Sequence, residues 1–165
     1  MRASHALDRW MYHGGRPNHV ARLLNRLWAR LSGAGIGPDR QVTIEVTGRR
    51  TGKRVSLPVV VADHHGERYL VSMLGENANW VRNVRAAGGQ AVLRHGGREV
   101  VHLEEVPVAG RAEILRRYLE LAPGARAHIR VDRHASLEEF ARIAGEYPVF
   151  QVKVLGQSRS RRPPG

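Results

Sequence analysis

The segment Thr47-Gly48-Arg49-Arg50-Thr51-Gly52-Lys53-Arg54 carries four cations within six positions, set among two glycines and two threonines. Glycines allow a tight connection to turn backbone N–H groups toward one point, and arginine grips phosphate or carboxylate with a planar, two-pronged fork. Capture of an anionic group is the chemistry that suits these residues. The competing reading is a solvated hairpin tip, because runs of charge usually face water. A P-loop does not fit: the interval between the glycines is too short, and no Gly-Lys-Ser/Thr ending follows.

A second segment, Ser72-Met73-Leu74-Gly75-Glu76-Asn77-Ala78-Asn79-Trp80-Val81-Arg82-Asn83, reads as a strand end, a glycine-containing loop and a helix start. Such a junction sets free N–H groups and the positive end of a helix dipole beside the strand. Asn77 or Asn79 is suited to cap that helix, and Trp80 is suited either to stacking or to the core. Elsewhere the chain is poor in reactive groups. It has no cysteine, which excludes disulfides, thiolate metal sites and cysteine nucleophiles. Its nine histidines form no helical pair with a carboxylate, so no metal site is expected. No Gly-x-Ser-x-Gly elbow occurs, and Glu104 and Glu105, adjacent on a strand, point to opposite faces. A protein built this way either only binds its partner or leaves the reaction to a cofactor.

The elements that must position these segments follow from periodicity. Val20, Leu23, Leu24, Leu27, Trp28 and Leu31 recur at helical spacing over 17–31, with Pro17 in the first turn and Arg16, Arg22, Arg26 and Arg30 forming a basic face. Val42, Ile44 and Val46 alternate with Thr43, Glu45 and Thr47 as in a half-buried strand. Strands are expected over 55–62 and 68–74 around a turn at 63–66, then a helix over 77–86. A hairpin over 91–95 and 98–105 follows, with helices at 108–121 and 136–146, the latter with Ser136 and Glu139 at capping-box spacing. A last strand covers 148–155. About six strands in successive hairpins, interrupted by helices, indicate a mainly antiparallel α+β fold. The chain divides into a basic amphipathic helix and loop at 1–38, a main domain at 39–156 and a basic flexible tail at 157–165.

With 165 residues, 42% of them hydrophobic, the chain can build one core. Its 27 Lys and Arg against 15 Asp and Glu give a formal charge of +12, which favours an anionic partner. A nucleic acid is disfavoured because aromatics are only 5% of the chain and show no interleaved stacking pattern. No apolar run approaches the ~20 residues of a membrane span. A cytoplasmic protein is expected. Residues 17–31 could also rest on the inner face of a membrane, although packing of that stripe on the main domain is the commoner use of such a helix.

Taken together, these residues resemble the deazaflavin-dependent nitroreductase family of nitro-compound and quinone reductases, from about Val42 to Leu155. The resemblance rests on the Thr47–Lys53 turn, Pro58, the Ser72–Gly75 strand end, Trp80 with Asn83, and Tyr147-Pro148-Val149-Phe150 entering the last strand. It implies a split β-barrel with flanking helices and the deazaflavin coenzyme F-420, whose tail carries a phosphate and glutamates. By that likeness Arg49, Arg50, Thr51, Lys53 and Arg54 hold the tail, and Pro58, Met73, Leu74 and Gly75 line the ring. Trp80 and Asn83 support the wall. The implied activity is hydride transfer to a hydrophobic acceptor such as a quinone, nitroaromatic or activated alkene, by a monomer or homodimer. The alternatives are a flavin barrel holding FMN, or a basic module that binds nucleic acid or membrane surface without catalysis. The family's tyrosine-rich acceptor region is largely missing here, leaving Tyr118 and His128 as candidate proton donors.

Overall fold

A computed structural model describes residues 12–13, 16–17 and 40–159, with side-chain surroundings over 40–156. Two short strands, β1 (Tyr12–His13) and β2 (Arg16–Pro17), pair antiparallel. Pro17 therefore sits in a strand pair rather than in the first turn of a helix; at the edge of a ladder its missing N–H costs nothing. The rest of the helix expected over 17–31 lies outside the described residues, as does 160–165 of the expected tail.

The main body is a closed barrel. Its strands are β3 (Gln41–Thr47), β4 (Arg54–His64), β5 (Glu67–Val71), β6 (Gln90–Arg94), β7 (Gly97–Glu105) and β8 (Val149–Arg159). They follow the order β3-β4-β5-β8-β7-β6, with β6 pairing back to β3, and every pairing is antiparallel. Helix α1 (Asn79–Ala86) joins β5 to β6, while α2 (Ala112–Leu121) and α3 (Leu137–Ile143) lie between β7 and β8 in the chain. The α+β fold expected from the six strands, and the split barrel that the family resemblance implies, are the fold observed.

Alternation explains how the layers form. Val42, Ile44 and Val46 of β3, Leu57, Val59 and Val61 of β4, Leu93 of β6, Leu103 of β7 and Phe150 of β8 fill the interior, where α1 adds Trp80, Val81 and Val84. The opposite face of β4, with Val60 and Ala62, packs with Val71, Met73, Ile114, Leu115, Tyr118, Leu119 and Phe140 under α2 and α3. Strand β4 is thus buried on both sides over Val59–Ala62, which is why its sequence is a continuous apolar run there. Burying each large side chain of these two clusters stabilises by roughly 1.5–3 kcal/mol.

Several boundaries differ from the sequence reading, each for a local reason. β4 runs to His64, and the turn shrinks to His65 (φ 49°) and Gly66 (φ 78°), two left-handed residues that suit a tight hairpin. β5 stops at Val71 because the Ser72 hydroxyl donates to the Gly75 carbonyl (2.8 Å) and closes a turn. The helix expected over 108–121 is broken: Val108–Gly110 is a 3-10 turn, and Arg111 turns inward before α2 begins. The capping box at Ser136 and Glu139 is present. β8 continues past Leu155 to Arg159 because Gly97–Glu99 of β7 pair with it there.

Candidate functional site

The Gly48–Lys53 connection is closed by its own backbone. Gly48 N–H donates to the Lys53 carbonyl (2.7 Å) and Gly52 N–H to the Gly48 carbonyl (2.9 Å), and Lys53 N–H donates to Thr51 Oγ1 (3.2 Å). A Cβ on Gly48 would stand 3.1 Å from both the Lys53 carbonyl and Thr51 Oγ1, and Gly52 has φ +66°. Glycine is required at both positions, although for building the turn rather than for presenting amides. With those N–H groups and that of Arg49 engaged inside the protein, the charge that the tip offers an anion comes from its side chains.

Those side chains are not equivalent. Arg49 is a brace: its backbone N–H and Nη1 both donate to Asn83 Oδ1 (3.2 and 2.9 Å), and Nη2 donates to Asn79 Oδ1 (3.5 Å). Arg50, Thr51 and Lys53 are exposed, and among the described residues neither Arg50 nor Lys53 has a charged partner. The Arg54 guanidinium lies 3.5 Å from Glu45 Oε2, and the almost buried Glu45 also meets Arg94 at 2.5 Å. Arg54 therefore shares a carboxylate, while Arg50 and Lys53 leave net positive charge at the tip.

The second segment meets the first through α1. Neither Asn77 nor Asn79 caps that helix; Ala78 occupies the cap position without a side-chain bond. Asn79 is engaged by Arg49, and Asn77 Oδ1 accepts from Arg82 (2.6 Å). Gly75, at φ +82°, holds a backbone that residues with a side chain rarely adopt, and a Cβ there would press to 3.2 Å from the Glu146 carbonyl. Its own carbonyl accepts from Ala78 N–H (3.4 Å). The chain of contacts Gly75–Ala78–Asn79–Arg49 thus joins the strand-end loop to the basic tip. Leu74 is 36% exposed beside it, whereas Met73 is buried under α2 and α3. Pro58, opposite Thr43 in the ladder, is half-buried. Trp80 is a core residue, its ring 5.6 Å from that of Phe150, and Asn83 is 5% exposed.

Tyr118 is enclosed in the cluster under α2, and burial pushes its hydroxyl well above the usual phenol range. Packing, the commoner use of a helical tyrosine, is what this environment provides. His128 is half-buried, and its carbonyl accepts the Tyr147 hydroxyl (3.1 Å).

One supporting network escaped the sequence reading. Arg85 of α1 bonds Glu76 (2.7 Å) and Glu105 (3.0 Å through Nε). Buried Arg111 donates to Glu105 (3.3 Å) and to the carbonyls of Val106 (2.8 Å), Ala144 (3.1 Å) and Tyr147 (3.3 Å). The Arg85 guanidinium holds the Glu76 carboxyl below its usual range, and burial pulls Arg111 downward. The only sequence signal was the alternation at Glu104 and Glu105, and the two do diverge: Glu104 pairs with Lys153 at 2.5 Å, while Glu105 joins this network.

No curated protein matches the chain. Among solved structures, a protein of unknown function from Agrobacterium tumefaciens (Atu2129) superposes with a TM-score of 0.54 at 9% identity, over 72% of this chain and 50% of that one, and so shares the fold. An F420-H2 dependent reductase (FDR-A) superposes with a TM-score of 0.49 at 17% identity, over 69% of this chain and 94% of that one. In sequence, residues 21–137 match the F420H(2)-dependent quinone reductase family. That match spans most of the chain, including the basic tip, the strand-end loop and α1; the protein belongs to this family and is a reductase dependent on coenzyme F-420.

Proposed function

We propose that the protein delivers the hydride of reduced F-420 to a quinone, with nitroaromatics and activated alkenes as further acceptors of the same hydrophobic kind. The observation that carries the reading is a pair of cations, Arg50 and Lys53, without a charged partner among the described residues, on a tip anchored through Arg49 and Asn83 beside the open Leu74–Gly75 loop. The donor set fits the coenzyme: its phosphate and glutamates need a spread of exposed cations, and its ring needs a flat wall with little side chain. Arg50, Lys53 and Thr51 would hold the tail, Arg54 would do so while sharing Glu45, and Arg49 would fix the tip. Pro58, Leu74 and Gly75 would face the ring, with Met73, Trp80 and Asn83 behind them.

The bound coenzyme supplies a two-electron hydride donor. Reduction of a quinone to its quinol consumes that hydride and one proton. Tyr118, enclosed and held neutral, is a poor source of the proton. His128, half-buried at the Tyr147 corner, or water is the better one. The protein's own contribution is to orient the two reactants and to exclude water between them. No helix among the described residues is long and apolar enough to cross a membrane.

Fluorescence titration with F-420 tests the assignment. Reversing one charge at about 5 Å from an anionic group costs roughly 2–6 kcal/mol between a dielectric of about 80 and one of about 20. Arg50→Glu and Lys53→Glu should each weaken binding at least tenfold, more so at low salt. Unchanged affinity in both would sink the tail assignment. Turnover of a soluble naphthoquinone faster than that of a nitroaromatic would support the quinone, and the reverse order would remove it from first place.

A further inference from the structure

We infer that the β4–β5 turn and the first turn of α2 form a binding site for a divalent transition metal of the zinc type, with His64, His65 and Glu113 as its protein ligands. His64 closes β4 and His65 begins the turn, and the left-handed backbone of His65 (φ 49°) brings its ring to 4.0 Å from that of His64, centroid to centroid. Glu113 arrives from the first turn of α2. Its Oε2 lies 3.1 Å from His64 Nε2 and 3.9 Å from His65 Nε2, and all three donor atoms fall within 4.8 Å of one another.

Those spacings lie close to what a tetrahedral ion demands. With metal–nitrogen and metal–oxygen bonds of about 2.0–2.1 Å, donor atoms around zinc stand roughly 3.3 Å apart. The two observed separations bracket that value, and the His65 side chain, 81% exposed, can rotate to close the longer one. Two imidazoles and one carboxylate are ligands of intermediate softness, suited to Zn²⁺, Co²⁺ or Ni²⁺ rather than to Mg²⁺ or Ca²⁺. His64 also lines a cavity of about 190 Å³ with Tyr69, Ile114 and Gln151, which gives room for a water as fourth ligand. Arg40 and Arg117, the cations bonded around this turn, are engaged by Asp63 and Glu120, so neither is left to repel the ion.

The site is remote from the basic tip. Strand β4 separates His64 from Arg54 by ten residues, or ~30 Å at the rise of an extended strand. The ion would therefore fasten α2 to the hairpin beneath it, away from the cations that would hold the coenzyme tail.

Isothermal titration of the chelator-treated full chain with Zn²⁺ is the test, with thermal melts on the same samples. The expected result is one ion per chain at micromolar affinity and a higher melting temperature with Zn²⁺. Both should be lost, with affinity down at least tenfold, in His65→Ala and in Glu113→Gln. His65→Ala keeps the hydrogen bond between His64 and Glu113, so it separates coordination from that pair, and its unchanged melting temperature without metal verifies the fold. Absence of Zn²⁺ binding overturns the proposal. So does binding that persists in both variants, which would place the ion on histidines elsewhere, such as His5, His13 or His19.

Discussion

Replacing Asn83 by leucine separates anchoring of the basic tip from the charge it carries. Asn83 Oδ1 accepts two bonds from Arg49, one from the backbone N–H at 3.2 Å and one from the guanidinium at 2.9 Å. A neutral hydrogen bond contributes about 0.5–1.5 kcal/mol net and one to a charged group about 1.5–3. Arg49 sits at the partly open edge of the barrel, where water can replace part of what is lost, so the lower end applies and the loss is about 2 kcal/mol. Leucine has the same number and branching of side-chain heavy atoms as asparagine, with bulkier tips, so it leaves no hole beneath α1. For a urea slope of about 2 kcal/mol/M, the denaturation midpoint should fall by about 1 M. The tip would then sample orientations that turn Arg50 and Lys53 away from the coenzyme, and F-420 affinity should fall about tenfold, equivalent to about 1.4 kcal/mol. Asn83→Asp, which keeps an acceptor for Arg49, should retain most of the affinity. Wild-type affinity in Asn83→Leu, alongside the expected drop in stability, would refute the idea that the brace sets the geometry of the tip.

Gly89→Ala should be among the most damaging small substitutions. Its φ is +84°, and a Cβ would stand 2.7 Å from the Leu103 carbonyl and 2.6 Å from the His102 ring, for a loss of about 2–4 kcal/mol measurable by urea denaturation. Arg111→Met removes a buried donor to three carbonyls and Glu105 and should cost about 3–5 kcal/mol, with a melting temperature lower by roughly 10 °C or more. Acid titration should show a contribution from Glu76, whose carboxyl Arg85 holds below its usual range. That stability is fully present above pH about 4.5 and is lost as pH falls through the lower folded value, so circular dichroism of Arg85→Met should show a shallower acid transition.

The barrel was legible because its strands alternate cleanly or, like β4, run apolar without a break, and its hairpins carry Gly66 and Gly96 at left-handed positions. The tip was legible because cations crowd into it. What the sequence could not show was which cations are free. Arg49 is committed to Asn83, 34 residues away, and Arg54 shares Glu45 on the neighbouring strand; only the paired register of β3 and β4 reveals the second, and only the seat of α1 reveals the first. The start of α1 was misread for a related reason, since asparagines suited to capping were taken by Arg49 and Arg82. The Arg111 network was invisible because its acceptors are mostly backbone carbonyls, which carry no trace in a sequence. The His64, His65 and Glu113 cluster leaves no sequence signature of the helical i, i+4 kind, because its members come from a hairpin and from a helix 48 residues beyond His65.

The place of β8 in the barrel has a consequence for how the protein is made. β8 comes last in sequence among the described strands, yet it fills the gap between β5 and β7. While the ribosome is still completing 149–159, β5 and β7 each carry an open edge, and the apolar inward faces of β3, β4 and β7 lack the closing Phe150 and Val152. A nascent chain in that condition cannot complete its core in order of synthesis; it must hold two adhesive edges apart until β8 emerges. Interrupted translation or C-terminal clipping before Val149 would thus yield not a smaller working barrel but an open sheet with two edges ready to pair with other chains.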